Sequence, residues 1–125
     1  MRILIVEDST LVQRMYGLAF PPRIHTLVTA VNGREALARL DAEPTPFDLI
    51  LLDLRMPDMN GVESLAALQC RRATPIPVVL TTAEPADSPL LREARLLGPA
   101  AVVHKPWKPL ELQAVVHQIL PELIL

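Results

Sequence analysis

The stretch "FDLILLDLRMPDMNG", from Phe47 to Gly61, decides how the rest of the chain is read. Its core, Leu49-Ile50-Leu51-Leu52, is apolar at every position and too short for a helix. An apolar run without alternation marks a strand covered on both faces, as in a parallel sheet. An acid, Asp53, follows directly, then Met56-Pro57 and Asn60-Gly61. A buried strand that carries one carboxylate to its tip raises the question of what that carboxylate does there.

The other strands supply the context. Ile3–Val6, Ile76–Leu80 and Ala100–Val103 repeat the pattern, and Ile24–Val28 repeats it more weakly. Helical stretches lie between them. Ser9 or Thr10 is expected to cap a helix reaching about Phe20, stopped by Pro21-Pro22. Gly33–Leu40 places Ala36, Leu37 and Leu40 on one face. Asn60 is expected to cap a helix bearing Val62, Leu65 and Leu68. Ser88-Pro89 opens another with Leu90, Ala94 and Leu97, closed by Gly98. Lys108-Pro109 opens the last, where Leu112, Val116, Ile119 and Leu123 share a spacing. The result is an α/β chain, βα five times over. Right-handed crossovers turn this into an open parallel sheet with helices on both faces. One domain, residues 1–125, is expected.

Ligands of such sheets sit at the carboxyl ends of the strands. Strand one ends in Glu7-Asp8, strand three in Asp53, strand four in Thr81-Thr82-Ala83, and strand five in His104-Lys105-Pro106. Three carboxylates, a hydroxyl and an ammonium are therefore expected along one edge. Carboxylates this close repel, and a divalent cation relieves the repulsion. Hard oxygen ligands with room for water suit Mg²⁺. A metal, an ammonium and a hydroxyl around one carboxylate can stabilise an incoming phosphoryl group, with the carboxylate as nucleophile. Taken singly, each residue also fits a plainer role as helix start, turn, structural hydroxyl or solvated charge. Only their coincidence at four tips points to chemistry.

Totals narrow the classes further. A net charge of −2 offers no basic footprint for nucleic acid. No apolar run approaches the ~20 residues of a membrane span, and Met1-Arg2-Ile3-Leu4-Ile5-Val6 reads as a strand rather than a signal peptide. The lone Cys70 excludes an internal disulfide and suits a reducing cytoplasm.

The segments "ILIVEDS", "DLILLDLRMPDMNG", "VVLTTAE" and "HKPW" together resemble the receiver domain of two-component response regulators, in family order and over essentially the whole chain. The resemblance implies a flavodoxin-like (βα)5 fold with strand order 2-1-3-4-5. It implies Asp53 as phosphoryl acceptor, Asp8 as direct Mg²⁺ ligand, Glu7 as a ligand through water, and the Arg55 backbone carbonyl as the remaining protein ligand. Thr82, with Thr81 as the neighbouring alternative, and the small Ala83 would contact the phosphoryl group. Lys105 would pair with a phosphoryl oxygen and Pro106, through a cis bond, would shape the loop. The donor would be a phosphohistidine on a histidine kinase or phosphotransfer protein. The output would be a downstream protein or output domain, with a homodimer through the last helix as a further partner.

Three features depart from the family pattern or vary within it. Val102 stands where an aromatic is common, three residues before Lys105, so an aromatic rotamer switch is not expected. "AEPADSPL" carries Pro85 and Pro89, which predicts a long loop and a short fourth helix. Arg55 and Glu84, each two residues beyond a site residue, are expected to overhang the site and to pair across its mouth. His104 is expected to point away from Lys105, Trp107 to pack after strand five, and His25 and His117 have no partner visible in the sequence.

Other classes fit less well. Dehalogenase-type phosphatases favour a second acid where this chain has Arg55, so turnover of external phosphoesters is not expected. A flavin phosphate would be repelled by Glu7-Asp8, and dinucleotide and P-loop glycine motifs are missing. A degenerate receiver that binds partners without phosphorylation remains the alternative.

Overall fold

The computed structural model describes residues 1–42, 45–56, 58–71 and 76–122. Ten elements alternate: β1 (Arg2–Val6), α1 (Thr10–Ala19), β2 (Thr26–Ala30), α2 (Gly33–Ala42), β3 (Leu49–Asp53), α3 (Gly61–Gln69), β4 (Val78–Thr82), α4 (Pro89–Leu96), β5 (Ala101–His104) and α5 (Pro109–Ile119). All pairings are parallel and the order is β2-β1-β3-β4-β5, the expected flavodoxin-like sheet.

The apolar strands divide their side chains between two layers. Leu4, Val6, Ile50, Leu52 and Leu80 face α2, α3 and α4, where Ala36, Leu40, Leu65, Leu68, Leu91 and Ala94 meet them. Ile3, Ile5, Leu49, Leu51 and Val79 face α1 and α5, against Tyr16, Ala19, Phe20, Leu112 and Val116. Alternation along each strand thus buries both faces, which is why no polar stripe was visible in the sequence.

The caps explain the helix starts. Ser9, rather than Thr10, is the α1 cap and accepts from the Val12 amide at 3.3 Å. Asn60 and Glu63 form a reciprocal capping box at α3. Ser88 caps α4 ahead of Pro89, and Gly98 follows it in the left-handed region at φ 72°. α4 has 8 residues and starts only after the Ala83–Ser88 loop, as the prolines predicted. Leu123 and the apolar tail to Leu125 lie outside the described residues, as does Pro57.

Two strands begin two residues later than expected. β2 is Thr26–Ala30, not Ile24–Val28, because the Ile24 and His25 amides close a turn onto the Pro21 carbonyl. β4 is Val78–Thr82, not Ile76–Leu80: the ladder from β3 first reaches this strand through the Pro77 carbonyl, and Val78 pairs with Ile50. Propensity marks an apolar run, whereas the ladder sets its ends. His25 gains a partner no sequence pattern shows: the Met1 amino group lies 3.1 Å from its Nδ1. Burial, and then that ammonium, hold the His25 pKa below its ordinary value.

Gly61 answers why the opening stretch ends as it does. A Cβ there would lie 2.6 Å from the Leu54 Cα, and the Gly61 amide bonds the Leu54 carbonyl at 2.7 Å. The chain leaving β3 therefore folds back onto itself within one turn. Gly61→Ala is expected to destabilise the protein by about 1–3 kcal/mol, since the Leu54 Cα and carbonyl oxygen that a Cβ would meet are backbone and cannot step aside. Chemical denaturation checks this, and an unchanged midpoint would contradict it. Among the described residues no helix is long and apolar enough to cross a membrane.

Candidate phosphoryl-acceptor site

The strand ends converge as the tips predicted. β1 runs on in Glu7, whose amide pairs with the Ala30 carbonyl at 2.9 Å and whose carbonyl accepts from Gln13 Nε2 at 2.7 Å. The Glu7 side chain is thereby drawn inside, 1% exposed, while Asp8 next to it is exposed. Asp53 closes β3 at 6% exposed. One oxygen from each of Glu7, Asp8 and Asp53 can be chosen so that all lie within 4.8 Å of one another.

Lys105 reaches into this group from the end of β5. Its Nζ donates to Glu7 Oε1 at 2.9 Å and lies 3.3 Å from Asp53 Oδ1. The other Glu7 oxygen accepts from the Ser9 amide at 3.1 Å. The peptide bond between Lys105 and Pro106 is cis, as expected. Electrostatics follow the geometry. Burial raises the Glu7 pKa, against the hydrogen bond from Lys105. Burial likewise raises that of Asp53, against the charge of Lys105. For Lys105 burial pulls the pKa down, but the hydrogen bond to Glu7 and the charge of Asp53 outweigh it, and the net shift is upward. Three carboxylates thus face one ammonium at this edge, leaving an excess of negative charge that fits a divalent cation with oxygen ligands.

A cleft of about 220 Å³ opens beside Asp53, lined by Arg55, Thr82, Ala83, Glu84 and Lys105. Thr81 and Thr82 part company here. Thr82 lines the cleft and its hydroxyl accepts from the Glu84 amide at 2.9 Å. Thr81 turns to the opposite side of the sheet, where its hydroxyl meets that of Tyr16 at 3.0 Å. Arg55 and Glu84 form an ion pair at the cleft mouth. His104 is exposed and Val102 packs among the residues facing α3 and α4.

Sequence reasoning missed Tyr16. It is buried on α1, its ring centroid 4.8 Å from that of Trp107, and burial raises the pKa of its phenol. Trp107 packs after β5 as expected. The available signal was strand alternation: of two adjacent threonines only one can face the site, so the other needs a polar partner on the far side.

Residues 3–117 match the family model described as response regulator receiver domain. The regulatory protein AtoC of Escherichia coli (strain K12) is 39% identical over 119 residues, covering 95% of this chain and 25% of that protein. A protein-glutamate methylesterase/protein-glutamine glutaminase of Geobacillus kaustophilus is 36% identical over 116 residues, covering 89% of this chain and 32% of that protein. The chain therefore spans about a quarter to a third of these curated relatives. The solved chemotaxis response regulator CheY4 of Vibrio cholerae superposes with a TM-score of 0.81 at 28% identity, covering 94% of this chain and 97% of that one. With the β2-β1-β3-β4-β5 sheet and the acid–Asp–Thr–Lys edge, these matches establish that the chain belongs to the receiver-domain family of two-component response regulators.

Proposed function

We propose that this chain is a phosphorylation-dependent signalling domain spanning residues 1–125, which takes a phosphoryl group onto Asp53 from a phosphohistidine of a histidine kinase or phosphotransfer protein. The observation that carries the reading is Lys105 Nζ, 2.9 Å from Glu7 and 3.3 Å from Asp53, beside a cleft that also presents the Thr82 hydroxyl.

Each residue has a role set by its place. Asp53, at a strand end and facing the cleft, offers its carboxylate oxygen to the phosphorus. Asp8, exposed, and Asp53 are the direct ligands of Mg²⁺, with the Arg55 carbonyl completing the protein set. Glu7 has its two oxygens engaged by Lys105 and the Ser9 amide, which supports a role outside the direct ligand set. Mg²⁺, when bound, supplies positive charge to the phosphoryl oxygens and to the crowded acids. Lys105 holds one phosphoryl oxygen, and the Thr82 hydroxyl and Ala83 amide hold another. Pro106 shapes the loop that carries Lys105. The output is a change in a protein-binding surface, read by a downstream protein or an output domain, with a second copy docking through α5 as one form of it. Turnover of external substrates is not part of this function.

Intact mass after incubation with acetyl phosphate or phosphoramidate tests the reading. One phosphoryl group is expected, and only with a divalent metal present. An unchanged mass would leave phosphorylation-independent partner binding as the function. The ligand assignment has its own test: Asp8→Ala should weaken Mg²⁺ binding much more than Glu7→Gln, as expected for losing a direct ligand as against one that acts through water. Equal losses by calorimetry would contradict the assignment.

A further inference from the structure

A buried pair of hydroxyls lies beneath the acceptor edge, on the face of the sheet opposite to the one on which Val102 packs. The Tyr16 and Thr81 oxygens are 3.0 Å apart, and neither residue is more than 1% exposed. Sealed from water in an otherwise apolar layer, the two satisfy each other. The bond fixes a distance and a direction between α1 and the end of β4.

Thr81 is joined to the site on both sides. In the ladder it stands opposite Asp53, and its carbonyl accepts from the Leu54 amide at 3.2 Å, one residue past the acceptor. The next residue, Thr82, lines the cleft, and its carbonyl accepts from the Lys105 amide at 2.7 Å. Tyr16 reaches the Lys105 loop a second way, because its ring lies 4.8 Å from that of Trp107, two residues beyond Lys105. One side chain on α1 therefore touches both arms that carry polar groups to the cleft: the β4 end with Thr82 and the β5–α5 loop with Lys105.

We propose that Tyr16 is a positioning residue of the acceptor site. Its hydroxyl holds the end of β4 through Thr81 and its ring holds the Lys105 loop through Trp107, so the Thr82 hydroxyl and the Lys105 ammonium keep one separation across Asp53. The proposal rests on Asp53 being the acceptor. Tyr16 touches no reacting atom. Donors aimed at developing charge are effective only when they are held in place beforehand. A displacement of about 1 Å made far from the chemistry can slow a reaction about 100-fold. A phenyl ring would fill the same space against Trp107, and the hydroxyl is what adds direction.

Stability and positioning come apart in variants of this pair. Tyr16→Phe and Thr81→Val each leave one buried hydroxyl without its partner, so each should lower the unfolding midpoint. The double variant removes both hydroxyls and should recover most of that loss, since apolar groups of the same shape can replace a buried polar pair at little cost. Thr81→Ser keeps the hydroxyl but deletes a buried methyl group, and should be less stable than the wild type. Phosphoryl uptake should follow a different order. With acetyl phosphate at saturating Mg²⁺, an Asp53 oxygen forms the new P–O bond as the acyl P–O bond breaks and acetate leaves with the electron pair. That rate should fall about threefold to tenfold in Tyr16→Phe, Thr81→Val and the double variant, the scale of one lost hydrogen bond. It should stay near the wild-type value in Thr81→Ser.

Trp107 is the one tryptophan of the chain, so its emission reads the Lys105 loop alone. Beryllofluoride, a mimic of the phosphoryl group, should shift that emission in the wild type and in Thr81→Ser when added with Mg²⁺. The shift should be smaller in the three variants that lack the hydroxyl pair. Uptake that recovers together with stability in the double variant would make Tyr16 a packing residue and overturn the proposal. So would an emission change of equal size in every protein, or none in the wild type. A wild type that takes up no phosphoryl group would instead remove the acceptor reading, and the proposal with it.

Discussion

Asp53→Asn is expected to reduce phosphoryl uptake to below about 1% of the wild-type rate, from acetyl phosphate and phosphoramidate alike, because a neutral amide oxygen is not a competent nucleophile. The substitution is nearly isosteric, so the cleft keeps its shape. It also removes a carboxylate whose pKa burial has raised, and so relieves a cost of keeping that group ionised in the fold. Without metal, Asp53→Asn should therefore be at least as stable to heat as the wild type. A loss of labelling with intact or improved stability assigns the chemistry to Asp53. Labelling that persists in the variant would move the acceptor elsewhere, and Asp8 would be the first position to examine.

Lys105→Ala is expected to slow uptake by about 100-fold, the low end for removing one donor from a transferring group, without stopping it, yet to abolish the conformational response. The reason lies in how Lys105 is wired. Its side chain reaches Asp53 and Glu7, and its backbone amide donates to the Thr82 carbonyl at 2.7 Å. Thr82 in turn holds the Glu84 amide, so the root of the Ala83–Ser88 loop hangs from the same residue that the phosphoryl group would engage. A bound group shifts a two-state element only by its differential contacts with the two states. Those contacts pass through Lys105 and Thr82. In the wild type, amide exchange on adding beryllofluoride, a phosphoryl mimic, should change most at residues 82–90 and less at 102–107. In Lys105→Ala the change at 82–90 should disappear although phosphorylation continues. Val102 packs among the residues facing α3 and α4 and has no ring to swing, so the loop is the part expected to move. Large changes confined to 102–107, with a silent 82–90 loop, would show that β5 moves instead.

The order of the elements and the identity of the acids needed no coordinates. Leu49–Leu52 and Ile3–Val6 are apolar at every position, and that pattern has one inexpensive solution, a parallel strand buried on both faces. Once the strands are parallel, their carboxyl ends share an edge, so Glu7, Asp8, Asp53, one of Thr81 and Thr82, and Lys105 arrive along it whatever the loop details. Ser88-Pro89 and Asn60-Gly61 announced their helices because capping and φ restriction are local effects carried by the residues themselves.

Other features were decided only in three dimensions. The starts of β2 and β4 moved because ladder hydrogen bonds, made with residues far away in sequence, overrule local propensity. Which threonine faces the cleft depended on the register of β4 against β3, and one step of register exchanges the two faces. The Tyr16–Thr81 contact spans 65 positions and no periodicity reports it. Asp53 could be read from the chain as an acid at a strand tip. Its raised pKa could not, because that comes from how completely its neighbours exclude water and from where the Lys105 ammonium settles. Composition and pattern settle which groups arrive at the edge, since those depend on near neighbours along the chain. Their distances, burial and charge states depend on packing between distant segments, and only the folded structure determines them.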